Sequence, residues 1–135
     1  MTQAIEFINP AGLFKSPAFS QVAVTSGTGK TIYVGGQNSV DSAGKTVGKD
    51  DIAMQTEQVM QNIEIALTDS GANWFNVVKL SIHIVQGHDL NQAFQAAQKF
   101  MSKTKNPPTI TGVFVSGLTN PDFLVEVDAI AFVAG

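Results

Sequence analysis

The chain has 135 residues, the usual length of one folded domain, so we expect a single domain over residues 1–135. Only 14% of the residues are charged and 44% are hydrophobic, which predicts that another subunit covers part of the apolar surface. The net charge is −3, the lysines are scattered, and arginine and cysteine are absent, which argues against a nucleic-acid partner and excludes disulfides and thiolate metal sites.

The N-terminal segment, residues 1–6, has no basic stretch followed by a long apolar run, so we do not expect a secretory signal. No segment approaches the roughly 20 consecutive apolar residues of a membrane span. The sequence therefore predicts a cytoplasmic protein that does not bind membranes.

β-Strands are predicted in the first third of the chain. A short strand is expected at Ile5–Ile8, and two β-branched runs, Gln21–Thr25 and Thr31–Val34, flank the turn-forming residues 26–30. We expect these two runs to pair as a hairpin. A glycine-containing loop, residues 41–48, follows them.

A helix is predicted from about Asp50 to Ser70, where the apolar residues take helical spacing: Ile52, Val59, Ile63, Ala66 and Leu67. Asp50 and Asp51 place negative charge at its N-terminus, and Gly71 supplies a left-handed residue beyond its end. A strand follows at Val78–Ile84, because its residues alternate between apolar and polar.

A second helix is predicted after Asp89, which can cap its N-terminus, and residues 106–108 end it. Its buried stripe is expected to be Leu90, Phe94, Ala97 and Met101. Two further strands, Thr109–Val115 and Phe123–Val133, are joined by a turn at residues 120–122. The predicted fold is α+β, with two helices on one face of a mixed sheet and the other face left for a partner.

Three candidate sites are rejected on local sequence patterns. Residues 27–31 imitate part of a phosphate-binding loop, but Val24 stands where a glycine is required, and a strand follows instead of a helix. His83 and His88 show no metal-ligand spacing, and the sequence contains no Gly-x-Ser-x-Gly elbow. We therefore expect no metal, no other cofactor and no serine-hydrolase triad.

The last strand carries two carboxylates. Strand alternation puts Glu126 and Asp128 on one face, among apolar residues that predict partial burial. A partly buried carboxyl group is a candidate general acid or base. The alternative is a carboxylate that pairs with a lysine or a backbone N–H at an interface. The two interpretations stay open for Glu126, and pairing is favoured for Asp128.

Several segments together resemble the Rid (YjgF, endoribonuclease L-PSP) family over nearly the whole chain. In order, they are residues 16–24, 34–37, 70–72, 107–109 and 125–131. The resemblance implies a fold like the chorismate mutase of Bacillus, assembled as a homotrimer with ligand clefts between subunits. That assembly would cover the open sheet face.

The resemblance also implies site residues. Family members that deaminate enamines and imines use an arginine just after the proline that opens the fourth main strand, and this chain has Ile110 there. Glu126 corresponds to the glutamate that positions water. The implied ligand-binding residues are Phe19, Gly36, Ile110, Thr111, Gly112 and Phe114. The family's asparagine and tyrosine on the second helix have no clear match near residues 94–98.

The absence of arginine alters the implied chemistry. A guanidinium grips a carboxylate through two hydrogen bonds, which other side chains reproduce poorly. Without it, the site should reject anionic imines and accept neutral or cationic ligands. Imine or enamine hydrolysis is therefore one hypothesis, and a non-catalytic metabolite sensor or interaction protein is the second. A ribonuclease, as the family label suggests, would need cationic phosphate contacts that this acidic chain barely offers.

Overall fold

The computed structural model describes residues 4–135 and shows the predicted order of elements. The strands and helices are β1 (Ile5–Ile8), β2 (Val22–Thr25), β3 (Gly29–Gln37), α1 (Ile52–Asp69), β4 (Val77–Val85), α2 (Leu90–Met101), β5 (Thr109–Val115) and β6 (Val125–Ala134). A short 3-10 helix, Trp74–Asn76, precedes β4. The fold is α+β, as expected.

The main sheet has four strands in the order β3-β6-β4-β5. β4 and β5 are parallel, while β6 is antiparallel to both of its neighbours. The sheet is therefore mixed. The parallel pair is connected through α2, because parallel neighbours need a crossover rather than a tight turn.

The predicted hairpin between the second and third strands is wrong. β2 pairs with β1, and β3 pairs with β6 at the end of the chain, with Gly29 opposite Ala134. The chain does turn at Gly27, whose φ is +81°. The Ser26 N–H continues the β1 pairing by donating to the Ala4 carbonyl. The turn residues therefore connect two sheets instead of two paired strands.

Helix α1 covers the sheet with its predicted apolar face. Val59, Ile63 and Leu67 are fully buried in the core. Asp51 caps the N-terminus by accepting a hydrogen bond from the Met54 N–H at 3.0 Å, and Gly71 takes the left-handed conformation beyond the end, with φ +82°. Burial of each large aliphatic side chain contributes about 1.5–3 kcal/mol to stability.

Helix α2 differs from its prediction in the residues that it buries. Asp89 caps it as expected, by accepting a hydrogen bond from the Asn91 N–H. Leu90 and Phe94, however, are 48% and 47% exposed, so the predicted buried stripe is wrong at these two positions. Ala93 and Ala96 are buried instead. Small residues let α2 approach α1 closely, and its larger side chains are left beside a cavity against the sheet.

The sheet has one covered face and one open face. On β6 the covered side consists of Val125, Val127, Ala129 and Ala131, all buried. The open side carries half-buried Glu126 and Asp128, as strand alternation predicts. Tyr33 on β3 is 77% exposed on the same open face. Within residues 4–135, neither helix combines the length and the apolar character needed to cross a membrane.

Gln55 of α1 is a fully buried polar side chain that joins three parts of the chain. Its amide nitrogen donates to the carbonyls of Gly48 at 3.1 Å and Asp122 at 2.8 Å, and its oxygen accepts from the Leu124 N–H at 2.9 Å. These bonds fix the start of α1 against the turn that leads into β6.

We expect Gln55→Ala to lower the free energy of unfolding by about 3 kcal/mol, since it leaves buried backbone groups without partners and opens a cavity. Gln61→Ala, on the exposed side of the same helix, is the matched control and should change stability by less than about 0.5 kcal/mol. Urea unfolding followed by circular dichroism measures both. Equal stabilities of the two variants would contradict the assigned role of Gln55.

Candidate functional site

Glu126 lies on the open face of β6 and is held in place by a neighbouring loop. Its Oε1 atom accepts a hydrogen bond from the Asn38 side chain at 3.2 Å. The loop is held in turn by Asn62 of α1, whose side-chain nitrogen donates to the carbonyls of Asn38 at 3.2 Å and Val40 at 3.0 Å. The carboxylate position is therefore set by a chain of hydrogen bonds that begins on a helix.

Gly36 lies directly beneath the Glu126 carboxylate. A Cβ atom at Gly36 would be 2.6 Å from Glu126 Oε2, closer than non-bonded atoms can approach. The register between β3 and β6 shifts at this point, because Val34 faces Ala129 but Gln37 faces Val127. The extra residue forms a bulge, a distortion that is frequent beside functional sites. Only glycine leaves room here for the carboxylate in its present position.

His83 is the residue of β4 directly opposite Glu126 in the antiparallel pairing. Paired residues share a face, and their Cβ atoms lie about 4.5–5.5 Å apart. The His83 Nδ1 atom is buried without a hydrogen-bond partner among residues 4–135. An imidazole and a carboxylate therefore stand side by side on the open face.

The next row of the open face carries smaller polar groups. Ser81 of β4 lies between Asp128 on β6 and Thr111 on β5. Thr111 is exposed, and Asp128 is half-buried. The open face therefore combines two carboxylates, an imidazole and two hydroxyl groups in adjacent positions.

A cavity of about 360 Å³ lies on the opposite side of the sheet, between α2 and strands β4 and β5. None of the side chains lining it in the described part of the chain is charged. Its wall includes Phe19, Leu90, Phe94, Met101, Ile110 and Gly112. Its volume and apolar lining are typical of a small-molecule pocket. Space remains beside Gly112, where an added Cβ would meet nothing within 4 Å.

The segment that carries Phe19 is tied to the start of β5. Ser20 is buried, its N–H donates to the Pro108 carbonyl at 3.0 Å, and its hydroxyl donates to the Pro107 carbonyl. These bonds hold Phe19 near Ile110, which is half-buried against the core. The aromatic ring and the isoleucine therefore form one wall of the same cavity.

A larger groove of about 530 Å³ runs between α1 and α2, but it is shallow and open to solvent. Glutamines line much of it, among them Gln58, Gln61, Gln92 and Gln95. It shares no residue with the polar open face. The concave apolar cavity is the better candidate for a ligand, because it removes more of a small molecule from water.

The sequence-based site residues fall on two faces of the sheet. Gly36, Thr111 and Glu126 belong to the open face, whereas Phe19, Ile110 and Gly112 line the cavity. Phe114 is 54% exposed and lies outside the cavity wall. Apart from Phe114, these residues form two candidate half-sites within one chain, separated by the sheet.

The segment that imitates a phosphate-binding loop has a structural role instead. Lys30 lies on β3, so a strand follows the glycine turn as predicted. The Lys30 side chain donates a hydrogen bond to the Ser70 carbonyl at 2.6 Å. Residues 4–135 bring together no group of three or more histidine, aspartate and glutamate side chains that could hold a metal ion.

The sequence analysis did not identify two features of the open face. They are Asn38 and the position of His83 opposite Glu126. Asn38 follows the end of β3 in a loop with no periodic pattern to mark it. The alternation of β4 places His83 on a polar face, but its position opposite Glu126 depends on strand register. A sequence shows which residues share a strand face, whereas register between distant strands comes from the folded sheet.

Known proteins match most of the chain. The family model described as Endoribonuclease L-PSP matches residues 13–133. A RutC family protein of Pyrococcus abyssi is 32% identical over 104 residues, covering 77% of this chain and 80% of the relative. Protein DfrA of Myxococcus xanthus is 31% identical over 109 residues, covering 81% of each chain. The crystal structure of the Rid family protein YyfB from Yersinia pestis has a TM-score of 0.86 at 27% identity, covering 97% of this chain and 100% of the other.

We expect Gly36→Ala to displace the Glu126 carboxylate and break its hydrogen bond with Asn38, because the new methyl group would lie 2.6 Å from Oε2, too close for a non-bonded contact. The fold should survive, since the crowded atom is the end of a flexible side chain. The assigned Asn38 side-chain amide signals in NMR spectra should shift. Gly35→Ala, where an added Cβ meets nothing within 4 Å, is the control. An unchanged Asn38 signal in Gly36→Ala would refute the close approach.

Proposed function

The chain belongs to the endoribonuclease L-PSP family, also known as the Rid or YjgF family, and from this premise we propose that it binds a neutral small molecule and hydrolyses its imine group. The observation that carries the proposal is the environment of Ile110. In place of the arginine that the family resemblance implies, this chain has an isoleucine in a cavity without charged walls.

The chemistry of the cavity favours neutral ligands. A carboxylate that entered it would lose its hydration without gaining a cation, and such an uncompensated transfer costs several kcal/mol. An aromatic or branched aliphatic group would gain by leaving water, at about 25 cal/mol for each Å² of apolar surface buried. The expected ligand therefore has an apolar body and carries no carboxylate.

The separation of the two half-sites supports a ligand cleft between copies of the chain. Glu126 and Ile110 face opposite sides of one sheet, so a small molecule cannot contact both within one chain. In the proposed homotrimer, the cavity of one subunit would hold the apolar body, and the open face of its neighbour would present Glu126. The exposed Tyr33 on that open face is consistent with burial against another subunit.

Glu126 is the proposed general base. It accepts a proton from a water molecule whose oxygen bonds to the imine carbon, while the C=N π electrons move to the nitrogen, which takes up that proton from Glu126. The hydroxyl proton of the resulting carbinolamine then passes through Glu126 to the amino nitrogen as the C–N bond breaks and the C=O bond forms, releasing ammonia and a ketone or aldehyde. One imine and one water give one carbonyl compound and one ammonia, so the step needs no oxidant or cofactor.

A non-catalytic metabolite sensor is the second candidate, and the missing arginine favours it. Such a protein would use the same cavity and the same Glu126 for binding alone. The ribonuclease activity named in the family description has weaker support. Among strands β3 to β6, Lys79 is the single lysine on the open face that could contact a phosphate. Measurements of turnover and of binding distinguish the first two candidates, because an enzyme converts its ligand and a sensor only binds it.

We expect purified protein to accelerate ammonia release from diphenylmethanimine, a neutral N–H imine, and Glu126→Gln to lower that rate by about 100-fold. Asp128→Asn, which changes the neighbouring carboxylate on the same strand face, should stay close to wild type. A coupled glutamate dehydrogenase assay follows the ammonia. If wild-type protein and Glu126→Gln both leave the uncatalysed rate unchanged, hydrolysis is excluded and the sensor interpretation stands.

We also expect the protein to prefer acetophenone over benzoylformate, which has the same phenyl ketone with an added carboxylate. Acetophenone should raise Tm in a thermal-shift measurement, and benzoylformate should not. Gly112→Val should abolish the acetophenone response, because its side chain fills the open space in the cavity wall. Gly117→Val, outside that wall, is the control. A larger shift with benzoylformate would overturn the proposed ligand class.

A further inference from the structure

His83 has an orphan nitrogen next to the candidate catalytic carboxylate. Its Nδ1 atom is buried and has no hydrogen-bond partner among residues 4–135. Nε2 is not a buried unpaired atom of these residues, so it is the more accessible ring nitrogen. Buried polar atoms without partners are rare in folded proteins, and each one calls for an explanation. The strand register places this histidine directly opposite Glu126.

The burial of Nδ1 determines which neutral tautomer is favoured. A proton on Nδ1 would create a buried N–H donor without an acceptor, and an unpaired buried donor is costly. A proton on Nε2 leaves Nδ1 as a bare acceptor, for which the lack of a partner costs less. The accessible nitrogen therefore carries the N–H. A fixed donor is thus presented beside the acceptor oxygens of Glu126.

We infer that His83 is a ligand-binding residue whose Nε2–H donates a hydrogen bond to the reacting group of the bound molecule. This inference rests on the proposed function and names the missing donor of that site. The acceptor is the imine nitrogen of the substrate or the carbonyl oxygen of the product. Glu126 beside it accepts a hydrogen bond from the attacking water. The ligand class is therefore a neutral imine or ketone with an apolar substituent.

The surroundings of His83 fit this role. On its two neighbouring strands it faces Val113 of β5 and Glu126 of β6. Lys79 and Asp128 are the other charged groups on the open face of β4 and β6, and neither bonds to the imidazole. Since no ion pair within residues 4–135 involves His83, its Nε2–H is available to a ligand.

Three variants test the inference with acetophenone as the probe. His83→Leu removes both ring nitrogens and should weaken acetophenone binding about tenfold, the effect of one lost hydrogen bond. His83→Gln places an amide N–H near the former Nε2 position and should retain most of the affinity. His88→Leu, which removes the other histidine of the chain, should bind as wild type does. Isothermal titration calorimetry measures the affinities.

Infrared spectra of carbonyl-labelled acetophenone provide a readout that a purely structural role would not change. The bound C=O stretch should move to lower wavenumber in wild type and His83→Gln, and should return to the value of a non-bonded ketone in His83→Leu. If His83 is only a core histidine, His83→Leu removes a buried unpaired nitrogen. It would then raise Tm while leaving affinity and the carbonyl band unchanged, which would overturn the inference.

Long-range ¹H–¹⁵N NMR spectra of the free protein determine the tautomer without any ligand. The chain contains two histidines, so the His83 signals are assigned by comparison with the His88→Leu variant. A proton on Nε2 supports the inference, and a proton on Nδ1 contradicts it whether or not the ligand class is right. Failure of wild type to bind acetophenone while Nε2 carries the proton would instead contradict the proposed function.

Discussion

The register of β6 is the constraint on which both proposed half-sites depend. Val125, Val127, Ala129 and Ala131 are buried under the helices, so the residues between them must face the opposite side. A slip of one residue would drive Glu126 into the core and expose the valines, at a cost far above the free energy available from any single surface contact. The hydrophobic core thus fixes the position of the carboxylate. His83 follows from the same constraint, because β4 is aligned against β6 by its own buried residues Leu80 and Ile84.

Polar groups then hold the Glu126 carboxylate in the position that the hydrophobic core has set. The bulge at Gly36 brings β3 close enough to touch the Glu126 carboxylate, and Asn38 at the end of that strand supplies its hydrogen bond. Asn62 connects this loop to α1, so a helix on the covered side supports a carboxylate on the open side. Each member of this arrangement has a bonding partner within the fold, and a carboxylate held in this way would need little reorganisation to accept a proton from water in the proposed reaction.

Sequence patterns predicted the positions of the helices and strands better than they predicted which strands pair. Periodicity located both helices and the strands, and alternation correctly separated Glu126 and Asp128 from the buried side of β6. The prediction of a β2–β3 hairpin failed because a turn sequence indicates only a change of chain direction, whereas the pairing of β3 depends on residues 90 to 105 positions away. The stripe of α2 failed because helical periodicity identifies an apolar face without saying whether protein or a cavity lies opposite it. The His83–Glu126 pairing was missed because it arises from register between distant strands, and Asn38 was missed because its loop has no periodic pattern.

The composition of the cavity gives the absence of arginine its physical meaning. A guanidinium at Ile110 would lie among Phe19, Phe94 and Met101, where nothing charged lines the wall in the described part of the chain. Burial of that cation without a bound anion would lower the stability of the fold. The isoleucine instead contributes stabilising apolar contacts whether or not the pocket is occupied. Leu90 and Phe94 also leave apolar surface exposed. Covering that surface with a ligand or a second subunit would stabilise the protein, because apolar surface would be removed from water. The proposed preference for a neutral ligand is thus a property of the whole wall, and Ile110 is the position at which the sequence indicates it.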